Sequence, residues 1–322
     1  MNRSKMVKEI PELPDIYLLG EPTVLEKLAY EGPFDENSNL IRGIVDDLSE
    51  PLSLRALRVK GDLFSIKGCE EQTDETESRK LCQLYMHGGE DFNYTFGNII
   101  RETVRALVFH GRAWLEIRLG LDEGNNVCSV RFLLLHAQLK EVGMEETEFT
   151  SITWEGKPVD FKVDAHFLVP LSLEGAGLPK DLFTAAFKKI RGLPQISDEM
   201  ENVQHPKPGY NFNEKVRNRE MTIIQATKDI FYEGYPVDRS KLMSDFHLIW
   251  RTCHFRIMKR KMIDYIVQQV NKTLAGLEKE YDFPGKIVIN VPVVDYMGYY
   301  QRLKAGEITL KGIHNIFLYG EH

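Results

Sequence analysis

No stretch of this chain reaches the ~20 consecutive apolar residues that a membrane-spanning helix needs. No apolar run follows the charged start Met1-Asn2-Arg3-Ser4-Lys5, so neither a secretory leader nor a membrane anchor is expected. Cysteine is scarce. Cys69, Cys82, Cys128 and Cys253 stand far apart with no CxxC pair, which argues against zinc or disulfide frameworks and for a reducing compartment. The strongest catalytic fingerprints are missing too: no GxxxxGK[ST] loop, GxGxxG turn, GxSxG elbow or HExxH pair occurs. Positive charge is not in excess. Lys and Arg number 41 against 48 Asp and Glu, a net charge of -7, which excludes a generic polyanion-binding surface but leaves room for a local basic patch. Repeats and low-complexity tracts are absent. These absences point to a soluble protein that works inside a cell or is assembled there.

What remains is enough to fold. The chain has 322 residues and is 43% apolar, which suits one large or two ordinary domains. Its organising stretch runs from Asp238 to Tyr281. Pro236 precedes it, Asp238 or Ser240 is placed to cap it, and no proline follows until Pro284. Apolar residues recur at helical spacing through Phe246, Ile249, Trp250, Cys253 and Ile257, then Ile263, Ile266, Val267, Val270, Leu274 and Leu277. Such a helix would be roughly 60 Å long at 1.5 Å per residue, a spacer or stem rather than part of an enzyme core.

Proline punctuates residues 1–40, which read as an arm with at most a short helix over Thr23 to Leu28. Residues 40–50 mix both periods. Leu52 to Phe64 alternates as a strand, and Glu70 to Arg79 is an acidic loop. Asp91 to His110 is an amphipathic helix with Gly111 as its stop. Ala113 to Leu119 alternates as a strand, turns over Gly120 to Asn126, and returns along Val127 to Leu135. Phe149 to Trp154 and Pro158 to Val163 repeat that hairpin, and His166 to Pro170 is a further strand. Leu182 to Ile190 is a short helix, and His205 to Tyr210 is a loop. A helix capped by Asn213 runs to Tyr232. After the long helix come a strand over Lys286 to Val291, a helix over Asp295 to Ala305, a turn with Thr309 as cap, and a last helix toward Tyr319. The class is α+β, with antiparallel hairpins beside helices.

Few residues suggest chemistry. Glu174-Gly175-Ala176-Gly177-Leu178 lacks the lysine and long helix of a phosphate cradle. His247 and His254 lie two turns apart, near 10 Å, too far to share one metal. His110 suits the negative end of its helix. Glu116-Ile117-Arg118, with Asp91 or Glu102 upstream, is similar to the carboxylate pattern of metal-dependent nucleases, but arginine stands where a lysine would be and is a poor general base. The best nucleic-acid signal is the basic run Arg251, Arg256, Lys259, Arg260 and Lys261, in which Arg256 and Arg260 share a helix face. Against it stands a solvated face, or pairing with acids such as Asp264. Trp250 and Phe255 fit a core better than a base-stacking platform.

Taken in order, these elements resemble the portal (head–tail connector) proteins of tailed bacteriophages. The resemblance begins with the helix, glycine turn and aromatic strand from Ile99-Ile100-Arg101 through Phe109-His110-Gly111-Arg112-Ala113-Trp114-Leu115-Glu116-Ile117. It continues through the hairpin Leu119 to Leu135 and the extended His166-Phe167-Leu168-Val169-Pro170. The Arg-rich long helix from Arg256 to Leu277 follows, then the strand Lys286-Ile287-Val288-Ile289-Asn290-Val291-Pro292. Tyr299 to Thr309, ending Ala305-Gly306-Glu307-Ile308-Thr309, completes the series. The order of motifs carries it, over about residues 40 to 312. Two departures accompany it: the chain is short for a portal, with little after Thr309 for crown helices, and Gln195 to Tyr210 has no counterpart.

The resemblance implies an N-terminal arm (1–40), a wing-like α+β body (41–235), stem helices with a short β clip at 286–292 (236–312) and a tail (313–322). It implies a non-enzymatic homo-oligomeric ring in the virion, through which double-stranded DNA is packaged and ejected, with no cofactor, no metal and no membrane. Its partners would be the packaging motor (terminase), a head–tail adaptor, capsid protein and DNA, the last touched without sequence preference by the basic run. Two other readings stay open: a metal-dependent nucleic-acid enzyme using Glu116, and a helical adaptor or scaffold working through the 238–281 helix.

Overall fold

The computed structural model describes residues 35–50, 62–67, 85, 91–122, 124, 126–135, 138–152, 157–195, 211–281 and 285–319. The proline-rich arm before residue 35, most of the strand expected over 52–64, the acidic loop 70–79 and the loop 205–210 lie outside them. The described residues hold seven α-helices and three small antiparallel sheets, an α+β fold. They form two compact units, each drawn from separated stretches of sequence.

The first unit uses described parts of Val59–Ala176 together with Met262–Pro292. It contains β1 (Phe64–Lys67), β2 (Arg112–Leu121), β3 (Val127–Leu134), β4 (Gln138–Val142), β5 (Glu146–Ile152), β6 (Pro158–Asp164), β7 (Leu168–Ser172) and β8 (Lys286–Ile289). The helix preceding β2 spans Phe92–His110 and is α2 in chain order. It ends because Gly111 takes the left-handed conformation at φ 74° and returns its N–H to the Leu107 carbonyl, a geometry that costs a residue with a Cβ. That reversal feeds the chain directly into β2, the central strand of the order β3-β2-β7.

Alternation then does what period two requires. Ala113, Leu115, Ile117 and Leu119 are buried on one face of β2 while α2 buries Phe92, Phe96, Ile100, Val104 and Leu107. Phe96 makes edge contacts with Phe64 and Phe132, at ring-centroid distances of 5.0 and 5.3 Å, and stacks on Phe92. The second sheet, β4-β5-β6, has its own small core of Leu135, Phe149, Phe161, Val163 and Leu168, and Trp114 meets Phe149 edge-on at 5.5 Å. The strand β4 is additional to the expected hairpin. The expected strand at His166 starts only at Leu168, because Asp164 accepts the His166 N–H and turns Ala165–Phe167 into a 3₁₀ helix. Glu174 to Leu178 is a turn in which Gly177 has φ 72°, and a Cβ on Gly175 would strike the Tyr265 ring.

The pair β1-β8 is antiparallel, with Ile66 opposite Ile287. Asn271 closes its far edge. The Asn271 side-chain amide donates to the Ile287 carbonyl and accepts from the Ile287 N–H, both at 2.8 Å, as a neighbouring strand would.

The second unit uses Gly177–Lys261, Val293–His322 and, before them, the helix α1 (Glu36–Ser49). The mixed-period stretch 40–50 is thus helical. Leu40, Ile41, Ile44, Val45 and Leu48 share one buried face, and Asp35 caps the start by accepting the Ser38 N–H at 2.6 Å. Further elements are α3 (Leu182–Arg191) and α4 (Phe212–Ala226). They are followed by α6 (Tyr296–Lys304) and α7 (Leu310–Tyr319), capped by Asp295 and Thr309 through the N–H groups of Gly298 and Gly312.

The long helix is α5, Asp245–Tyr281, unbroken over 37 residues and therefore about 55 Å long. Its residues through Lys261 fall in the second unit and those from Met262 in the first. It starts later than expected. Residues 237–239 form a separate 3₁₀ turn, and Ser244, not Asp238 or Ser240, accepts the first helical N–H groups, from His247 and Leu248. Two further boundaries differ for a local reason. Asn211 rather than Asn213 caps α4, accepting from Glu214 at 3.2 Å, and α4 stops at Ala226 rather than Tyr232.

Candidate functional site

The geometry of the basic run of α5 depends on where α4 stops. The last carbonyls of a helix have no intrahelical donor. At the end of α4, the Thr227 hydroxyl turns back to the Ile223 carbonyl, and Phe231 adopts φ 54°, so the chain leaves the helix with carbonyls at Ile224, Thr227 and Tyr232 converging. Arg251 fills that convergence. Its guanidinium donates to Ile224 O at 3.2 Å, Tyr232 O at 3.0 Å, Thr227 O at 2.9 Å and Thr227 Oγ1 at 2.7 Å. A cation there also meets the negative end of the α4 dipole.

Arg251 is only 1% exposed, and burial pushes its guanidinium down to about 10, still charged at neutral pH. The guanidinium expected to meet DNA is thus engaged by three carbonyls and the Thr227 hydroxyl inside the second unit.

The rest of the run follows the same pattern in part. Lys259 donates to the Asp47 carbonyl of α1 at 2.6 Å. Burial lowers its ammonium to about 8, against the opposing pull of Glu50 and Asp47. Burial also raises Asp47, although the Tyr232 hydroxyl hydrogen-bonds to it, and raises the Tyr232 phenol beyond its usual range. Arg256 is 3.6 Å from Glu233 and lies over the Tyr296 ring at 5.8 Å. Arg260 is half-buried, and Lys261 is exposed. The structure therefore brings Arg251, Arg256 and Lys259 together as anchors of the second unit, and leaves Lys261 at the surface.

The aromatic and histidine residues nearby belong to packing. Phe255 is buried, and Trp250 meets Phe231 edge-on at 5.2 Å. His254 lies 4.6 Å from both rings, and His247 stacks on Trp250 at 5.4 Å. Burial lowers both histidines below their usual value, with Arg251 adding to the effect at His247 and Lys261 at His254, which favours neutral rings. Buried Cys253 has its thiol pushed up to about 12, the behaviour of an inert core cysteine.

Glu116 is paired with a neighbour on its own strand. Arg118 clamps its Oε2 through Nε at 2.9 Å and through Nη2 at 2.8 Å, while Glu102 pairs with Arg105 at 2.9 Å. Among the described residues no group of three or more His, Cys, Asp or Glu side chains is placed to hold a metal ion, and no helix is long and apolar enough to cross a membrane.

The partners that give this region its structure, Thr227, Tyr232, Glu233 and Asp47, were not singled out from sequence. The available signal was the acidic pair Asp46-Asp47 and Glu50, whose proximity to α5 only the fold reveals.

No family model and no curated protein matches the chain. Solved structures do. Over 89% of this chain and 90% of the other, it is similar to a chain from the neck of an empty gene transfer agent particle computed with C6 symmetry, at 10% identity and TM-score 0.43. A chain from the virion of a native gene transfer agent particle is similar over 88% of this chain and 87% of its own, at 8% identity and TM-score 0.42. An HK97-family phage portal protein from Corynebacterium diphtheriae is similar over 80% of this chain and 98% of its own, at 11% identity and TM-score 0.36.

Proposed function

We propose that the chain is a portal-like structural subunit of a phage-type particle, which joins identical copies into a ring at the head–tail junction and surrounds double-stranded DNA. The observation that carries this reading is α5, continuous for 37 residues. It is set in the order that the sequence resemblance requires: helix, Gly111 turn, aromatic strand and hairpin before it, strand and two capped helices after it. A ring around DNA needs a stiff element in each subunit and lateral faces for neighbours, and it needs no catalytic group.

The charge distribution suits that task. DNA must slide, so a tight grip on phosphates would hinder passage. The net charge is -7, and Arg251 and Lys259 direct their charge at main-chain carbonyls of their own unit. Arg260 and Lys261 are the members of the basic run proposed to make passing contacts. A packaging motor, a head–tail adaptor and capsid protein are the proposed partners, and the virion the proposed location.

Particle mass tests the reading. Light scattering on the purified full chain, with negative-stain imaging, is expected to give closed rings of fixed subunit number. A monomer or dimer over a wide concentration range would favour an adaptor instead.

A further inference from the structure

Two surface features of the fold present apolar side chains to solvent. The first is the tip of the β4–β5 hairpin. Gly143 donates its N–H to the Glu146 carbonyl at 3.0 Å, in a turn so close that a Cβ on Gly143 would strike that carbonyl oxygen. This tight turn holds Met144 fully exposed, at 100%, beside Val142 at 64%. Lone surface apolar residues are ordinary, but here two stand within three positions at the extremity of a hairpin. Exposed acids Glu141 and Glu145 flank them.

The second feature lies in the other unit. A cleft of about 640 Å³ opens between α1, α4 and the turn Tyr232–Arg239, with Leu40, Val216, Ile223, Tyr235 and Pro236 on its walls. Tyr235 is 69% exposed. Its rim cation is Arg239, an exposed side chain lying 5.9 Å over the Tyr235 ring. Of the acids on the lining, Glu36 is paired with Arg219 at 3.2 Å, and Glu220 is half-buried.

We propose that the hairpin tip of one copy seats in this cleft of a second copy, Met144 and Val142 entering the apolar walls and Glu145 meeting Arg239. The two patches are different surfaces of the same chain. Their union is therefore head-to-tail, the kind of contact that repeats around a closed ring. The inference rests on the ring reading above and adds the contact that closes it. Apolar side chains in a cleft with a charged pair at its rim form the usual anatomy of a specific interface.

The test uses the full chain and its ring yield. Met144→Glu is expected to lower the yield about tenfold or more without changing the thermal melt, because Met144 makes no intramolecular packing. Glu145→Arg and Arg239→Glu should each weaken assembly, and together restore it to within about twofold of the parent. In a Cys128→Ser background, copies carrying Met144→Cys mixed with copies carrying Tyr235→Cys should give an intermolecular disulfide on oxidation. Rings that assemble normally with Met144→Glu and show no such link would overturn the hairpin contact while leaving the ring reading intact. A parent chain that forms no rings at all would overturn both.

Discussion

The Arg251 guanidinium sits 2.7 Å from the Thr227 hydroxyl and 2.9 Å from the Thr227 carbonyl, so a residue that reads as a nucleic-acid contact is the C-terminal cap of a neighbouring helix. Arg251→Ala would leave the carbonyls of Ile224, Thr227 and Tyr232 buried without their donor. A loss of about 3 kcal/mol or more in urea denaturation is expected, since each orphaned buried group costs about 1–3 kcal/mol. Arg251→Lys should recover little, because an ammonium cannot reproduce the planar fork.

Lys259 makes a pH-dependent difference whose sign can be fixed. Its folded pKa, about 8, lies below its unfolded value, so between about pH 8 and about pH 10 the unfolded chain binds the proton more tightly. Stability from this group rises with pH across that window and is lowest below it, where the half-buried ammonium stays charged. Denaturation of the parent and of Lys259→Met at pH 7, 8.5 and 10 should show the parent gaining relative to the variant as pH increases. A difference flat in pH would mean that Lys259 is solvated.

Asn271→Ala removes both hydrogen bonds on the outer edge of β8, at a strand residue, Ile287, that is 1% exposed. The expected cost is about 2 kcal/mol, concentrated near β8. Hydrogen exchange at the Ile287 amide should speed up far more than at Leu115 in β2.

Glu116→Gln tests the enzymatic alternative. Arg118 holds Oε2 of the Glu116 carboxylate in an ion pair at 2.8 Å. The parent protein is expected to show no Mg²⁺-dependent cleavage of DNA or RNA, and the variant to match it. Cleavage by the parent that the variant loses would reinstate the nuclease reading.

Much of the fold was legible because its signals are local. Phe92 to Gly111 carries a helical stripe and a glycine stop, and Ala113 to Leu119 alternates on a strand that has only one buried face. α5 announces itself by an apolar period with no proline for more than forty residues. Its true start at Ser244 was hidden, because Asp238, Ser240 and Ser244 are all competent caps and only the chain path selects one. Gln138–Val142 was missed as a strand because its five residues carry mixed charge and just two apolar side chains, and pairing with β5 decides its state.

The candidate site was less legible. Charge spacing on a helix cannot tell a solvated arginine from one aimed at carbonyls 19 to 27 positions earlier in the sequence. The Arg251 contacts come from residues 224–232, and nothing in the α5 sequence encodes them.

Direct imaging of the purified full-length chain by electron microscopy tests the central claim most squarely. The account predicts annular particles with one subunit number and an open centre wide enough for duplex DNA. Compact particles of one or two subunits, at every concentration and with no central opening, would contradict it.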